Sequence, residues 1–94
     1  MNVVVEFAGI SRVLTGVRDL SYSLEPDTSY RDLICQLGIR FPALVGVVIT
    51  PDGDTLLPEN KIALNGKRMI QDSEMDTFLN DGDRLTLMSI LAGG

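Results

Sequence analysis

Apolar and polar residues alternate near both ends of the chain, as they do in β-strands that have one buried face. The alternation covers residues 3–8, residues 18–25 and residues 84–91. Gly9 and Gly16 bracket the stretch between the first two segments, which we interpret as a short loop. The chain is therefore predicted to begin with an antiparallel β-hairpin and to end with a strand.

The spacing of apolar residues changes in the middle of the chain to that of an amphipathic helix. Positions i, i+3, i+4 and i+7 are occupied by Tyr30, Leu33, Ile34 and Leu37. Ser29 followed by Asp32 forms a weak capping box, because an Asp side chain reaches back less well than Glu. Pro42 disfavours helix at the residue before it, so the helix is predicted to stop near Arg40 or Phe41.

Shorter segments complete the predicted layout. Residues 45–50 are apolar and β-branched and are followed by a Pro-Asp-Gly turn. Short strands at residues 61–64 and 67–70 are joined by Asn65-Gly66, the strongest hairpin signal in the chain. Residues 72–79 predict one helical turn. Its inward-facing residues are predicted to be Met75, Phe78 and Leu79.

This order of elements predicts an α+β fold with a mixed sheet of about five strands and one main helix packed on one face. The chain has 94 residues, of which 45% are apolar, and this fits one small folded domain. We expect the domain to cover residues 1–91 and a flexible tail to cover residues 92–94.

Charge and missing residue types exclude several functions. Thirteen acidic and eight basic side chains give a net charge of −5, which argues against nucleic acid or an anionic membrane as the main partner. The chain has no His and a single cysteine, Cys35, so it cannot build a His-dependent triad, a His-bearing zinc site or a four-Cys cluster. We therefore expect no metal, no cofactor and no catalytic role.

One cysteine also excludes a disulfide framework and favours a reducing, cytoplasmic location. No stretch approaches the roughly 20 apolar residues of a membrane span.

The chain ends with Ala92-Gly93-Gly94. Glycine has no Cβ, so such a tail can enter a tunnel that is too narrow for other residues. Its terminal carboxylate is unreactive as it stands. A partner enzyme can adenylate it, however, and so make an acyl group that a sulfur or amine nucleophile can attack. The alternative is a mobile terminus without function, which is common.

Several short motifs occur in a characteristic order along the chain. They are Phe7-Ala8 followed by Arg12 and Gly16, the helix start Asp27-Thr28, Phe41-Pro42, the Asn65-Gly66 hairpin after Ile62, the turn from Leu79 to Leu85, and the terminal Gly93-Gly94. Over nearly all of its length the chain thus resembles the ubiquitin-like β-grasp sulfur carriers of the MoaD and ThiS families. Val13 stands where that family usually has an acidic residue, and the tail lacks the Pro-rich approach of many MoaD proteins.

The resemblance implies a mechanism in which an activating enzyme of the MoeB or ThiF type adenylates Gly94. A persulfide would then convert the carboxylate to a thiocarboxylate, and Leu91, Ala92 and Gly93 would enter the partner's active site. In the MoaD branch the sulfur goes to molybdopterin inside a complex with a larger, MoaE-type subunit. Other branches supply thiazole or transfer RNA, or join the carboxylate to lysines of target proteins. The leading hypothesis is a sulfur carrier, and the alternative is a ubiquitin-like protein modifier.

Parity along the last strand suggests where a partner would dock. If Leu85 and Leu87 pack under the helix, Met88 and Ile90 face outward and form an apolar docking patch beside the tail. The alternative is that Ile90 only covers the sheet edge.

The remaining candidate residues are interpreted as structural. The predicted core residues are Phe7, Leu64, Leu79, Leu85 and Leu87. Cys35 is predicted to be a partly buried, unreactive thiol, Asp81 and Asp83 to form a turn, and Arg12 to be a solvated charge.

Overall fold

The computed structural model describes residues 1–89. Five strands form one sheet: β1 (Asn2–Phe7), β2 (Asp19–Ser23), β3 (Asn60–Leu64), β4 (Arg68–Met69) and β5 (Arg84–Ser89). The helices are α1 (Ile10–Thr15) and α2 (Tyr30–Arg40), and Pro42–Leu44 and Asp72–Glu74 form 3-10 turns. The strand order is β2-β1-β5-β3-β4, in which only the β1–β5 pair is parallel. The predicted mixed sheet of five strands with one main helix is therefore confirmed.

Helix α2 begins and ends where its sequence predicts. Oγ of Ser29 accepts a hydrogen bond from the Asp32 amide at 3.0 Å, and the Asp32 carboxylate accepts one from the Ser29 amide at 3.1 Å. Both partners of the capping box are thus satisfied, and the helix ends at Arg40, before Pro42. The predicted apolar stripe is buried, as shown by Tyr30, Leu33, Ile34 and Leu37.

The core lies between α2 and one face of the sheet. Val5 of β1, Ile62 of β3 and Leu85 of β5 pack against the helix. The ring of Phe7 meets that of Phe41 edge to face at 5.5 Å and closes one end of the core. Of the five predicted core residues, Leu64 is only partly buried, because it is the last residue of β3 and its partner strand β4 has two residues.

The stretch bracketed by Gly9 and Gly16 was predicted to be a loop, and this is wrong. It forms helix α1, which ends because Gly16 adopts the left-handed conformation at φ 71° and donates its amide to the Arg12 carbonyl. Leu14 of this helix packs against the core. The second strand is also shorter than predicted, since β2 covers Asp19–Ser23 and not residues 18–25.

The apolar segment at residues 45–50 contributes side chains to the core without joining the sheet. Val48 and Ile49 are fully buried. The backbone of the segment bonds locally, with the Val48 amide on the Leu44 carbonyl at 2.8 Å and the Leu57 amide on the Val48 carbonyl at 2.9 Å. β-branched composition here reflects burial within a folded loop.

One inward-facing assignment in the segment before β5 is wrong. Met75 and Leu79 are buried as predicted, whereas Phe78 is 55% exposed. The Leu79 amide bonds to the Thr28 carbonyl at 2.9 Å, and this pairing directs Leu79 inward and its neighbour Phe78 outward.

Candidate functional site at the end of the last strand

Strand β5 lies at the centre of the sheet and leads directly to the C-terminal residues. It pairs in parallel with β1 on one side, where Leu87 lies opposite Phe7. On the other side it pairs antiparallel with β3, where Ser89 lies opposite Asn60. The last described residue of the chain is therefore held within the sheet by β3.

The face of the sheet that α2 leaves uncovered runs alongside this point. We call it the open sheet face and define it by Val4, Ala63, Met69, Thr86 and Met88. Lys61 lies opposite Met88, and Ala63 lies opposite both Thr86 and Met69. All five residues are partly buried, so the face presents a low, mostly apolar surface next to Ser89.

Two ion pairs lie on the same face of the sheet, where Glu6 is opposite Thr86 and Lys61 is opposite Met88. Nη1 of Arg84 lies 2.9 Å from Oε1 of Glu6, and the Thr86 hydroxyl donates to the same oxygen at 3.2 Å. The hydrogen bond from Arg84 is the main reason that the pKa of Glu6 lies below its ordinary value. In the second ion pair, Nζ of Lys61 lies 3.8 Å from a carboxylate oxygen of Asp72.

Helix α1 is attached to β5 close to the same end of the sheet. Oγ of Ser11 is buried and lies 2.9 Å from the Ala8 carbonyl and 3.1 Å from the Leu87 carbonyl. On the outside of α1, Ile10 is 43% and Val13 is 75% exposed. An apolar helix surface therefore lies beside the end of β5, which sequence reasoning missed.

A signal for this helix is present in the sequence. Apolar residues at i, i+3, i+4 and i+7 are Ile10, Val13, Leu14 and Val17. Gly16 follows as a helix stop. The pattern covers only about two helical turns, and for this reason a loop between two strands was the simpler interpretation.

The predicted site residues divide into described and undescribed positions. Met88 lies on the open sheet face and is half-buried. The others lie outside the described residues, namely Ile90, Leu91, Ala92, Gly93 and Gly94.

The other candidate residues have structural surroundings. Cys35 is partly buried, and burial is the main cause that raises the pKa of its thiol, the opposite of what an activated nucleophile requires. The Asp83 carboxylate accepts hydrogen bonds from the Asn80 amide at 2.8 Å and the Asn65 side chain at 3.1 Å, and so ties the hairpin to the turn before β5. Asp81 accepts from the Asn2 amide at 2.7 Å. Arg12 is exposed, and within residues 1–89 no carboxylate lies within ion-pair distance of it.

Residues 1–89 contain no cluster of three or more His, Cys, Asp or Glu side chains that could hold a metal ion. None of the helices in the same range is long and apolar enough to cross a membrane.

A central parallel pair formed by the first and last strands, with one main helix across the sheet, defines the ubiquitin-like β-grasp fold. The sequence model of the ThiS family matches residues 5–94, and the chain belongs to this family.

Proteins with other names share its sequence or its fold. The chain is 26% identical over its full length, and over the full length of the relative, to small archaeal modifier protein 3 from Haloferax volcanii. The fold is shared with SAMP1 from the same organism, at a TM-score of 0.81 and 21% identity with both chains fully covered. A candidate molybdopterin converting factor subunit 1 from Pyrococcus furiosus is 26% identical, with a TM-score of 0.72, over 96% of this chain and 98% of that one.

Proposed function

We propose that this protein is a sulfur carrier whose Gly94 carboxylate is adenylated and then converted to a thiocarboxylate. The observation that supports this most directly is the ThiS-family match, which extends to residue 94 and so includes Gly93-Gly94. The likeness to a candidate molybdopterin converting factor subunit supports molybdopterin synthesis as the destination of the sulfur, with a larger MoaE-type subunit as partner. We place this reaction in the cytoplasm, where the lone Cys35 would remain reduced.

The chemistry at Gly94 has three steps. The carboxylate attacks the α-phosphorus of ATP, which releases pyrophosphate and leaves an acyl adenylate. A persulfide sulfur on a donor protein then attacks the carbonyl carbon and displaces AMP. A donor thiol finally cleaves the sulfur–sulfur bond, forming a disulfide on the donor and releasing the thiocarboxylate. The carrier supplies only the acyl group, so the catalytic side chains belong to a MoeB- or ThiF-type activating enzyme.

The geometry at the end of β5 suits delivery of the carboxylate into another protein. Gly94 is five residues beyond Ser89, and five residues in extended form span at most about 18 Å. In this proposal Leu91, Ala92 and Gly93 occupy the partner's channel, where glycine is the residue that fits the narrowest part. Met88 and Ile90 then contact the partner's surface at the mouth of the channel.

Mass spectrometry of the intact protein tests the proposal. The protein is incubated with its activating enzyme, ATP and a persulfide donor, and a mass increase of one oxygen-to-sulfur exchange at Gly94 is expected. A variant that lacks Gly94 is the control and should remain unmodified. The enzyme is shown to be active by ATP–pyrophosphate exchange in the presence of another carrier. If the mass of the wild-type protein still does not change, the proposal is wrong.

The docking part of the proposal is tested separately. Met88→Asp places a charge on the apolar open sheet face, and we expect kcat/KM for adenylation of Gly94 to fall about tenfold or more. Phe78→Asp is the matched control, since Phe78 is exposed and lies outside the proposed contact surface. Equal loss in both variants would mean that Met88 makes no specific contact.

The second candidate function is that of a protein modifier joined through Gly94 to lysines of target proteins. It is supported by the full-length similarity to small archaeal modifier protein 3. In this case a lysine amine, and not a persulfide, attacks the acyl adenylate and displaces AMP. Branched peptides carrying the C-terminal residues on a target lysine are expected in digests of cells that express the protein. Their appearance together with an unchanged intact mass would favour the modifier over the carrier.

A further inference from the structure

A groove lies on the helix side of the molecule, away from the open sheet face. It runs between α2 and the loop that follows the first 3-10 turn and has a volume of about 320 Å³. Its lining residues are Cys35, Gly38, Ile39, Val45, Pro51 and Asp52. Ile39 is 81% exposed and Val45 is 36% exposed. Two large apolar side chains at one concave surface form an apolar patch that this small fold does not cover.

Gly38 is the residue that brings the loop close to the helix. A Cβ at this position would lie 3.3 Å from Cγ2 of Val45 and 3.7 Å from Cδ1 of Ile49. Glycine in a helix interior is about 1 kcal/mol less favourable than alanine. Glycine at the floor of the groove therefore allows Val45 of the loop to approach the helix, at the expense of helix stability.

Two carboxylates belong to the loop that forms the groove: Asp52 lines it, and Asp54 is two residues further along the chain. Arg31 is the cation nearest to them, but its guanidinium lies 3.5 Å from Asp54 and 2.7 Å from Asp76, so its charge is matched within the molecule. Asp52 accepts a hydrogen bond from the Thr50 hydroxyl, which lowers the pKa of this carboxyl and keeps it ionised at neutral pH.

The pKa of the Cys35 thiol, which lines the groove, is raised first by burial and then by the negative charges of Asp54 and Asp32, against which Arg31 acts in the opposite direction. An apolar floor with the exposed carboxylate of Asp52 at its rim is complementary to an apolar side chain flanked by Lys or Arg.

We propose that this acidic groove is a second docking surface, which binds a basic amphipathic segment of a partner protein. An apolar side chain of that segment packs on Ile39 and Val45, and its cationic side chains lie against Asp52. A second copy of the chain is a poor occupant, because each copy carries a net charge of −5 and would bring its own carboxylates to the contact.

The position of the groove gives it a separate role from the tail. It lies on the outside of α2, whereas Met88 lies on the opposite, open face of the sheet. A partner in the groove can therefore recognise the protein while Gly94 is inside an enzyme or bonded to another molecule. This inference goes beyond sulfur transfer and does not depend on it.

Binding of a model peptide tests the proposal. The probe is a fluorescent helical peptide of Leu and Lys, and the control is the same peptide with Glu in place of Lys. Fluorescence anisotropy should show binding of the Lys peptide alone, weakened at high salt. Protein without Gly94 should bind equally well, which separates this result from the outcome at the tail.

Matched variants locate the bound peptide. Ile39→Ser and Asp52→Asn should each weaken binding about tenfold. Phe78→Ser and Asp19→Asn remove another exposed apolar group and an equal charge elsewhere, and they should have no effect. Equal weakening by Asp52→Asn and Asp19→Asn would show that only the overall charge attracts the peptide, and the proposal would be wrong. Absence of binding to the wild type would also overturn it.

A third variant changes the groove while keeping the fold. Gly38→Ala adds a methyl group 3.3 Å from Cγ2 of Val45, so this side chain must shift by a few tenths of an ångström, while the helix itself is favoured by about 1 kcal/mol. Urea denaturation confirms that the variant is folded. Peptide binding should nevertheless weaken severalfold. Unchanged peptide binding by this variant would contradict the proposal. So would sedimentation that shows the wild-type protein to self-associate and the Ile39→Ser variant to be a monomer, because the occupant would then be a second copy of the chain.

Discussion

Ser11 links helix α1 to the strand that leads to the tail, and its replacement by alanine gives a sharp test of that link. The Ser11 side chain is 1% exposed, and its Oγ lies within hydrogen-bond distance of the carbonyls of Ala8 and Leu87. The Leu87 carbonyl still accepts the Ala8 amide at 3.0 Å in the variant, so it is not left unpaired. We therefore expect Ser11→Ala to lower the free energy of unfolding by about 1 kcal/mol, the usual net value of one hydrogen bond.

Urea denaturation measures this loss, and amide hydrogen exchange shows where it acts. The Gly16 amide is bonded to the Arg12 carbonyl at the end of α1. If α1 opens locally, this amide should exchange about fivefold faster in Ser11→Ala, the factor that corresponds to roughly 1 kcal/mol. Ser21→Ala is the control, since Ser21 is exposed on the edge strand β2. A loss no larger in Ser11→Ala than in the control would refute the structural role assigned to this hydroxyl.

Three further predictions concern the fold. Leu37→Ala should lower the free energy of unfolding by about 2–5 kcal/mol, because Leu37 is buried. Ile39→Ala should change it by less than about 0.5 kcal/mol, because Ile39 is exposed, and urea titrations compare the two variants. Asp83→Ala should cost about 1–3 kcal/mol in the same assay by leaving its hydrogen-bond donors unpaired, and an unchanged midpoint would contradict this. The Glu6–Arg84 pair should stabilise the fold fully above pH 4.5, the ordinary pKa of Glu6, and less as the pH falls through its lowered pKa; melting curves against pH should be flatter for Glu6→Gln.

The main helix and the strand parities could be predicted because their determinants are local. In α2 the capping pair Ser29 and Asp32 and the stripe that includes Leu33 all follow from spacing along the chain. Similarly, the alternation that buries Leu85 and Leu87 follows from the period of a strand. Local patterns of this kind need no knowledge of the partner elements.

The sequence is silent or misleading where tertiary pairing decides the conformation. Residues 45–50 have strand composition, but their backbone partners are the preceding 3-10 turn and residues 55–57, which no local pattern reveals. Phe78 and Leu79 are both apolar, and only the bond to the Thr28 carbonyl determines which of them is buried. Helix α1 is additionally tied to β5 by the Ser11 hydroxyl, a contact across 76 positions of the chain that its short local pattern does not reveal.

The candidate site shows the same division. The role of Gly94 is proposed from sequence alone. The open sheet face is not visible in the sequence, since it combines Met88 with residues from β1, β3 and β4 and lies beside the exposed residues of α1. The acidic groove was likewise invisible in the sequence, because Ile39 and Asp52 come together only when the loop folds back on α2.

The central position of β5 has a consequence for how a partner can use the tail. On the proposed mechanism the partner must fix residues 90–94, and each residue whose backbone is fixed costs roughly 1–2 kcal/mol of conformational entropy. The backbone of β5 is already fixed in the folded protein. Leu87 pairs with Phe7 and Ile62, and Ser89 pairs with Asn60. An edge strand that frays would add several residues to the number that binding must order. A partner therefore does not need to order β5 in addition to the residues that it holds, and contacts around Met88 on the open sheet face add to its affinity.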